Sequence, residues 1–285
     1  MELVTLASLG IPNTNLQKWV DGVLAPNGKM YFNPHSGTGY LVLDISTGSI
    51  VASTVGTAYQ VRGGALDSGG ILYSAAYSMG HPIDKIRRLD TNTDTMTSVI
   101  TYSTVRTDDI YLLRTNWESD TQFGRYDRTW GVTTANNGKL YVTPCGSNRV
   151  LVIDPNTGIA AHGVDQLTGR EPLPSEEEIP PPVALGDPHP YWHKYTGGTL
   201  DPVSGNIYCF PRHGDGILKI DTATDRAYEL KIPYALLPQP RKSKSFSSLL
   251  GPDGLIYSVP WHHKFLFWID PATDEVGYLD ITDQL

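Results

Sequence analysis

The chain carries eight histidines, two cysteines and six tryptophans, and their spacing limits the chemistry they can do. A pair of histidines beside a carboxylate can hold zinc or another divalent ion, and a cysteine beside a histidine can act as a nucleophile. His262-His263 is such a pair, but the chain has no HExxH, no cysteine pair and no ligand set at fixed spacing. It also lacks a GxSxG elbow and a phosphate-cradling loop, and nothing local supports a Cys145–His213 nucleophilic pair. The expectation is therefore no catalytic residue, no bound metal and no cofactor. The alternative is a metal-assisted lyase or hydrolase, which requires His35, His213 and His262 to converge.

The elements that would position these residues are short. Trp130–Gly158 reads WGVTTANNGKLYVTPCGSNRVLVIDPNTG, three apolar or β-branched runs closed by Asn136-Asn137-Gly138, by Pro144 to Asn148, and by Asp154 to Gly158. Such residues tolerate the positive φ of tight turns, so the runs predict an antiparallel meander. The pattern returns. Gly22 leads through Gly28 to Tyr31, Pro34 and Asp44; Gly64 through Gly70 to Tyr73 and Asp90; Gly198 through Gly205 to Tyr208, Pro211 and Asp221; Ser248 through Gly254 to Tyr257, Pro260 and Asp270. Repeats of this length, each one small sheet, predict an all-β propeller of four-stranded antiparallel blades.

The expected blades are 18–53, 63–100, 129–161, 196–233 and 245–281, making five in one domain spanning 1–285. Residues 103–128 and 163–195 are insertions. Six blades are the alternative if 103–128 hides a degenerate repeat. The second insertion holds seven prolines between Glu171 and Pro190 with Glu176-Glu177-Glu178, a composition that cannot form a strand ladder and reads as an extended arm. Glu2–Ser8 alternates enough to be a further strand, closing the ring or lining an edge.

Five equivalent aspartates (Asp44, Asp90, Asp154, Asp221, Asp270) precede Thr/Asn/Gly turns, where an Asp side chain accepts backbone N–H bonds. They read as scaffolding, and the repeated tyrosines read as packing between blades. The small residues that open the first strands, Gly22, Gly64, Gly131, Gly198 and Ser248, are expected where strands converge on a narrow axis.

What departs from the repeat carries the functional information. Loops between second and third strands, and connections between blades, open on one end of a propeller. That end is expected to collect His35, His81, Arg212, His213, Trp261, His262 and His263, with Trp117, Tyr191, Trp192 and His193 from the insertions and Tyr77 and His189 beside them. Loops on a rigid scaffold are where binding residues concentrate, so this end is the expected binding surface.

A net charge of −8 argues against nucleic acid, which needs a basic face. The first fifteen residues lack a basic n-region, a long apolar run and a cleavage site, and no stretch reaches a membrane-spanning length. No signal peptide or membrane insertion is expected, and the location is read as virion or cytoplasm.

The run Gly138-Lys-Leu-Tyr-Val-Thr-Pro144, with Ser147-Asn-Arg-Val-Leu-Val-Ile-Asp-Pro-Asn-Thr-Gly158, resembles the YVTN-type and NHL-like repeats of β-propellers. Gly22-Val-Leu-Ala-Pro-Asn-Gly-Lys-Met-Tyr31 is similar to repeats in propellers of tailed-phage virions and of protists. The resemblance covers roughly 18–281 outside the insertions. It implies a non-catalytic recognition or assembly module, most concretely a phage tail or capsid protein for structure or host attachment, contacting a protein partner or a surface glycan within a larger assembly. Virginiamycin B lyase and the gluconolactonase-like propellers are enzymatic relatives by such a fold, but the lyase's catalytic His/Glu set finds no matching positions here. A lectin-like propeller stacking sugars on Trp117, Trp192 and Trp261 is the third reading.

Overall fold

The computed structural model describes residues 19–35, 39–52, 61–76, 85–101, 129–145, 150–157, 159–162, 195–212, 216–232, 243–262 and 264–284. Both insertions, apart from Tyr195, lie outside these residues. So do the proline-rich stretch and the N-terminal strand expected at Glu2–Ser8.

The described chain forms five four-stranded antiparallel sheets, each built from consecutive strands in chain order. The first comprises β1 (Trp19–Leu24), β2 (Lys29–Pro34), β3 (Leu41–Asp44) and β4 (Ile50–Ala52). The second comprises β5 (Val61–Leu66), β6 (Ile71–Ala76), β7 (Lys85–Asp90) and β8 (Thr95–Thr101). The third is β9 (Thr129–Thr134), β10 (Leu140–Pro144), β11 (Leu151–Asp154) and β12 (Ile159–His162). The fourth is β13 (Tyr195–Leu200), β14 (Ile207–Pro211), β15 (Gly216–Asp221) and β16 (Arg226–Lys231). The fifth is β17 (Ser245–Leu250), β18 (Ile256–Pro260), β19 (Phe265–Asp270) and β20 (Glu275–Asp280). No helix among the described residues is long and apolar enough to cross a membrane.

First strands pack one on the next, β1 on β5, β5 on β9, β9 on β13 and β13 on β17. Among the described residues the second sheet therefore meets the third directly, β5 against β9. Residues 103–128, on which the six-blade alternative rests, lie outside the described residues.

Each first strand is interrupted by a bulge near its start. In four of them the chain turns through positive φ, at Asp21 (57°), Gly63 (70°), Gly131 (98°) and Gly197 (21°). The strands also approach too closely for side chains there. A Cβ on Gly63 would sit 2.7 Å from the Gly131 Cα, and one on Gly131 would sit 3.3 Å from the Gly197 Cα. Both demands select glycine. Asp21 is the exception, its carboxylate accepting the Gly22 N–H at 2.8 Å and the N–H of Gly64 on the next sheet.

This corrects one alignment. Gly131 occupies the bulge position of Gly63 and Gly197, and Val132 is the true equivalent of Gly22, Gly64 and Gly198. Small residues at that second position answer to crowding from two sides. A Cβ on Gly198 would lie 2.7 Å from Ile207 Cγ2 and 2.8 Å from Thr133 Oγ1, so the neighbouring strand and sheet exclude it.

The apolar core lies between sheets. Tyr31, Tyr40, Val42, Leu72 and Leu89 join the first sheet to the second. Tyr73, Ile86, Val132, Leu140, Val142 and Ile153 join the second to the third. Tyr141, Val152, Tyr195, Ile207, Leu218 and Ile220 join the third to the fourth. Tyr208, Phe210, Ile217, Ile256, Phe267 and Ile269 join the fourth to the fifth. Each fully buried side chain of this size contributes roughly 1.5–3 kcal/mol.

The turns behave as their sequences require. Asp44 accepts the N–H groups of Ser46 (2.9 Å) and Thr47 (3.1 Å). Asp90, Asp154, Asp221 and Asp270 accept N–H bonds from Asn92, Asn156, Ala223 and Ala272 at 2.8 to 2.9 Å. All five aspartates are turn scaffolding.

A second set of aspartates, four residues further on, clamps neighbouring sheets. Asp94, Asp225 and Asp274 sit at positive φ (56°, 53° and 58°), which turns their carboxylates toward the preceding sheet. Tyr31 donates its hydroxyl to Asp94, Tyr141 to Asp225, and Tyr208 to Asp274 at 3.0 Å. Lys29, Lys139 and Lys219 each complete a clamp at 2.5 Å from the same carboxylate.

Candidate functional site

Every second strand of the first, third, fourth and fifth sheets ends in proline, which cannot donate to the ladder and ends it. The next residues, His35, Cys145, Arg212 and Trp261, therefore emerge at one end of the molecule. Antiparallel pairing brings the start of each first strand to that same end, and the position just before the bulge glycine holds Arg62 in β5 and Trp130 in β9. In β17 the bulge falls at Phe246 itself.

These residues form one cluster. The Arg62 guanidinium carbon lies 3.8 Å from the centroid of the Trp130 ring. Arg212 lies 4.6 Å from the same ring and 5.0 Å from that of Trp261. Phe246 packs edge-on between the two indoles, its centroid 5.9 Å from Trp130 and 4.7 Å from Trp261. Trp261 in turn meets the His262 ring at 5.6 Å. Burial is graded: Trp130 is 6 % exposed at the base, while Phe246 and Trp261 are 40 % and 39 % exposed at the mouth.

Polar contacts fix the arginines. Arg62 Nη2 lies 3.3 Å from His35 Nε2; since a guanidinium only donates, His35 accepts here and carries its proton on Nδ1. Arg212 Nε donates to Ser243 Oγ at 3.4 Å. The backbone beneath is closed. Lys244 N–H donates to the Arg212 carbonyl (2.7 Å), Trp261 N–H to the Lys244 carbonyl (3.1 Å), and His262 N–H to the Ser243 carbonyl (3.1 Å).

Two cations over one indole lie at most about 8 Å apart, where like charges still repel at the effective dielectric of a protein surface. Stacking holds each guanidinium in one orientation, and each such contact is worth roughly 0.5–2 kcal/mol. The site is suited to holding a ligand by ring faces and charge. Among the described residues, no group of three or more His, Cys, Asp or Glu could hold a metal ion.

Of the residues singled out in the sequence, the structure brings Arg212, Trp261 and His262 together, with His35 attached through Arg62. His81, Trp117, Tyr191, Trp192, His193, His213 and His263 lie outside the described residues, as do Tyr77 and His189. Sequence reasoning missed Arg62, Trp130 and Phe246, although a signal existed: each is a large or charged residue just before a Gly or Ser (Gly63, Gly131, Ser247) near the start of a first strand. Cys145 is fully buried against Trp130. Cys209 is also buried, and burial pushes its thiol up to about 12. A thiol so shifted supplies no thiolate near neutral pH.

No protein-family model matches the chain, and no curated protein matches its sequence. Solved structures do. The chain is similar to virginiamycin B lyase from Staphylococcus aureus, with a TM-score of 0.59 and 16 % identity over 92 % of this chain and 69 % of the lyase. It is similar to the extracellular domain of a one-component system from B. thetaiotaomicron, with a TM-score of 0.58 and 13 % identity over 97 % of this chain and 33 % of that one. Hydrazine synthase of Kuenenia stuttgartiensis gives a TM-score of 0.56 and 14 % identity over 94 % of this chain and 67 % of that one. At such identities the likeness concerns architecture, and that architecture is a β-propeller-type repeat fold.

Proposed function

We propose that the chain is a non-catalytic recognition or assembly propeller, one unit of five four-stranded blades, whose binding surface is the loop-bearing end. The observation that carries this reading is the cluster of Arg62, Trp130, Arg212, Phe246 and Trp261, which offers ring faces and positive charge on a protein of net charge −8. The opposite end supports the assignment by contrast, since its aspartates and asparagines are engaged in their own turns and in neighbouring sheets. Fold does not fix function, so the reading rests on the site. The partner is a protein or a surface glycan, and neither nucleic acid nor a bilayer suits the charge and composition. A virion attachment or structural role is the most concrete setting, and it rests on the resemblance of the repeats. No cofactor enters the reading.

The test compares the two ends. Wild type, the loop-end variant Arg212→Ala/Trp261→Ala and the turn-end variant Asn136→Ala are screened against immobilised glycans and purified candidate partners. Ligands of the wild type should be lost by the first variant and kept by the second; the reverse pattern overturns the proposal. Elemental analysis tests the metal-assisted alternative. A stoichiometric divalent ion lost on His35→Ala or His262→Ala would replace recognition with a metal-dependent lyase or hydrolase.

A further inference from the structure

We infer that copies of this chain join head to tail, the outer face of the fifth sheet taking the outer face of the first sheet of another copy. The contact uses sheet faces and not the loop end, so self-association and ligand recognition are separable by experiment.

Every joint between sheets has a trailing half and a leading half. Between the fourth and fifth sheets, Tyr208, Ile217 and Leu230 form the trailing half, and Ile256, Phe267, Ile269 and Val276 the leading half. The fifth sheet repeats the trailing half as Tyr257, Leu266 and Leu279, with Leu249 and Trp268 beside them. Tyr257 pairs with both Leu249 and Trp268, and Leu266 with Leu279, which puts all five on one face. The first sheet repeats the leading half as Met30, Leu41, Leu43 and Ile50, with Leu24 and Phe32 paired beside them. None of these residues belongs to a described core. Leu24, Leu249 and Leu279 are 59 %, 52 % and 52 % exposed. Tyr257 is only partly buried, whereas Tyr31, Tyr73, Tyr141 and Tyr208 are fully so.

In a stacked array the terminal units need a polar outer face, because an apolar one is left in water. Here both outer faces keep the residue types of a joint, so neither is built as an end. Among the described residues the first strands pack in sequence from β1 to β17, with no comparable packing of the first sheet on the fifth. Within one copy, neither outer face buries the other.

Polar groups at the edge of each joint decide which face fits which. In three joints the trailing tyrosine donates to an aspartate of the next sheet, Asp94, Asp225 or Asp274, four residues after its turn aspartate. Between the second and third sheets, Tyr73 instead bonds Asp67 of its own sheet, and the next sheet has Gly158 four residues after Asp154. Tyr257 likewise donates to Asp253 of its own sheet at 2.6 Å, and the first sheet has Gly48 four residues after Asp44. The two outer faces are a matched pair of this second kind. Joining them leaves no tyrosine without an acceptor and no aspartate waiting for a donor. The occupant that offers such a leading half is a second copy of this chain. Unlike faces joined copy to copy give a closed ring or an open helical array, according to the rotation between copies.

Full-length protein is followed by sedimentation velocity from about 1 to 200 µM, with hydrogen exchange at both ends of that range. Mass should rise with concentration. Amides of β2 and β18 should gain protection about tenfold or more, while those of β10 and β14 stay unchanged. Leu249→Asp/Leu279→Asp spoils the trailing face and Leu24→Asp/Met30→Asp the leading one, all outside the described cores, and circular dichroism checks that both variants are folded. Each alone should weaken association about tenfold or more. Mixed in equal amounts they should form a pair and nothing longer, since one good face of each kind remains. The loop-end variant Arg212→Ala/Trp261→Ala should assemble like wild type.

Wild type that stays a monomer across the range overturns the inference, the faces then being covered within one chain. Association that survives Leu24→Asp/Met30→Asp but not Leu249→Asp/Leu279→Asp shows like faces pairing and overturns the head-to-tail order. Mixed variants that associate no better than either alone identify non-specific adhesion of apolar surface, which also overturns it. Loss of association in Arg212→Ala/Trp261→Ala moves the contact to the loop end, with the same result.

Discussion

The joint between the first and second sheets and the joint between the second and third are built differently. Both bury a tyrosine from a second strand, Tyr31 in one and Tyr73 in the other, among aliphatic side chains. At the first joint Tyr31 donates across the boundary to Asp94, with Lys29 on the same carboxylate. At the second, Tyr73 lies 3.3 Å from Asp67 of its own sheet, and Arg88 of its own sheet sits over its ring. The difference begins with one residue. Asp94 sits at positive φ in the second sheet, whereas the sequence of the third has a glycine, Gly158, four residues after its turn aspartate Asp154. An aspartate reaches back to the neighbour; glycine has nothing to reach with. The second joint instead uses close backbone approach, Gly63 against Gly131, and a bond from Thr134 Oγ1 to the Leu66 carbonyl at 2.6 Å.

The largest expected effect breaks the second joint where it is tightest. Gly63→Ala combines positive φ with a Cβ 2.7 Å from the Gly131 backbone, and should lose roughly 3 kcal/mol in denaturant unfolding. Gly28→Ala, also at positive φ but with nothing within 4 Å, should lose only about 1 kcal/mol. Equal losses would mean that the close approach does not matter.

The next prediction compares the tyrosines. Tyr141→Phe removes a hydroxyl bonded to Asp225 across a joint and should cost roughly 1.5–2 kcal/mol. Tyr73→Phe should cost about 0.5 kcal/mol or less, because its long bond stays within one sheet. If the two cost the same, the clamp contributes nothing that packing does not.

Alkali sharpens the contrast. Burial first, and the hydrogen bond to aspartate second, push Tyr31, Tyr141 and Tyr208 far above the ordinary tyrosine value near 10. In the folded protein these hydroxyls keep their protons while unfolded tyrosines lose theirs. Their stabilisation is complete below about pH 10 and is lost as pH rises from there toward the folded-state values. The Tyr141→Phe/Tyr208→Phe variant should show a shallower fall in stability above about pH 10 than wild type, and Tyr73→Phe a smaller change.

A smaller loss than that of Tyr141→Phe is expected at Asp225→Asn, where the replacement tolerates positive φ and keeps a hydrogen-bond acceptor but loses charge against Lys139. A loss of about 1 kcal/mol that shrinks in high salt would fit an ion pair between a buried carboxylate and a partly exposed lysine.

The repeat was readable because its residues answer local demands. Asp44 and its four counterparts fix turns that need no distant partner, so spacing alone located them. The clamp was less visible, since Asp94 has meaning only beside Tyr31 and Lys29, some sixty residues away in sequence. The site was half legible. His35, Arg212, Trp261 and His262 stand out as departures from the repeat. Arg62, Trp130 and Phe246 occupy a repeat position that is Val20 in the first sheet and Thr196 in the fourth. Their convergence follows from the bulges, which the one-dimensional pattern does not display.

Because the described cores, apart from the Trp130–Cys145 contact, lie between sheets, the described sheets are held like bricks mortared at their faces. The second, third and fourth sheets are each fixed on two sides by the described cores, and the first and fifth on one. Stability then passes from neighbour to neighbour, as in linear arrays. Under native conditions the outermost courses open first, and backbone amides of β10 and β14 should exchange with solvent more slowly than those of β2 and β18.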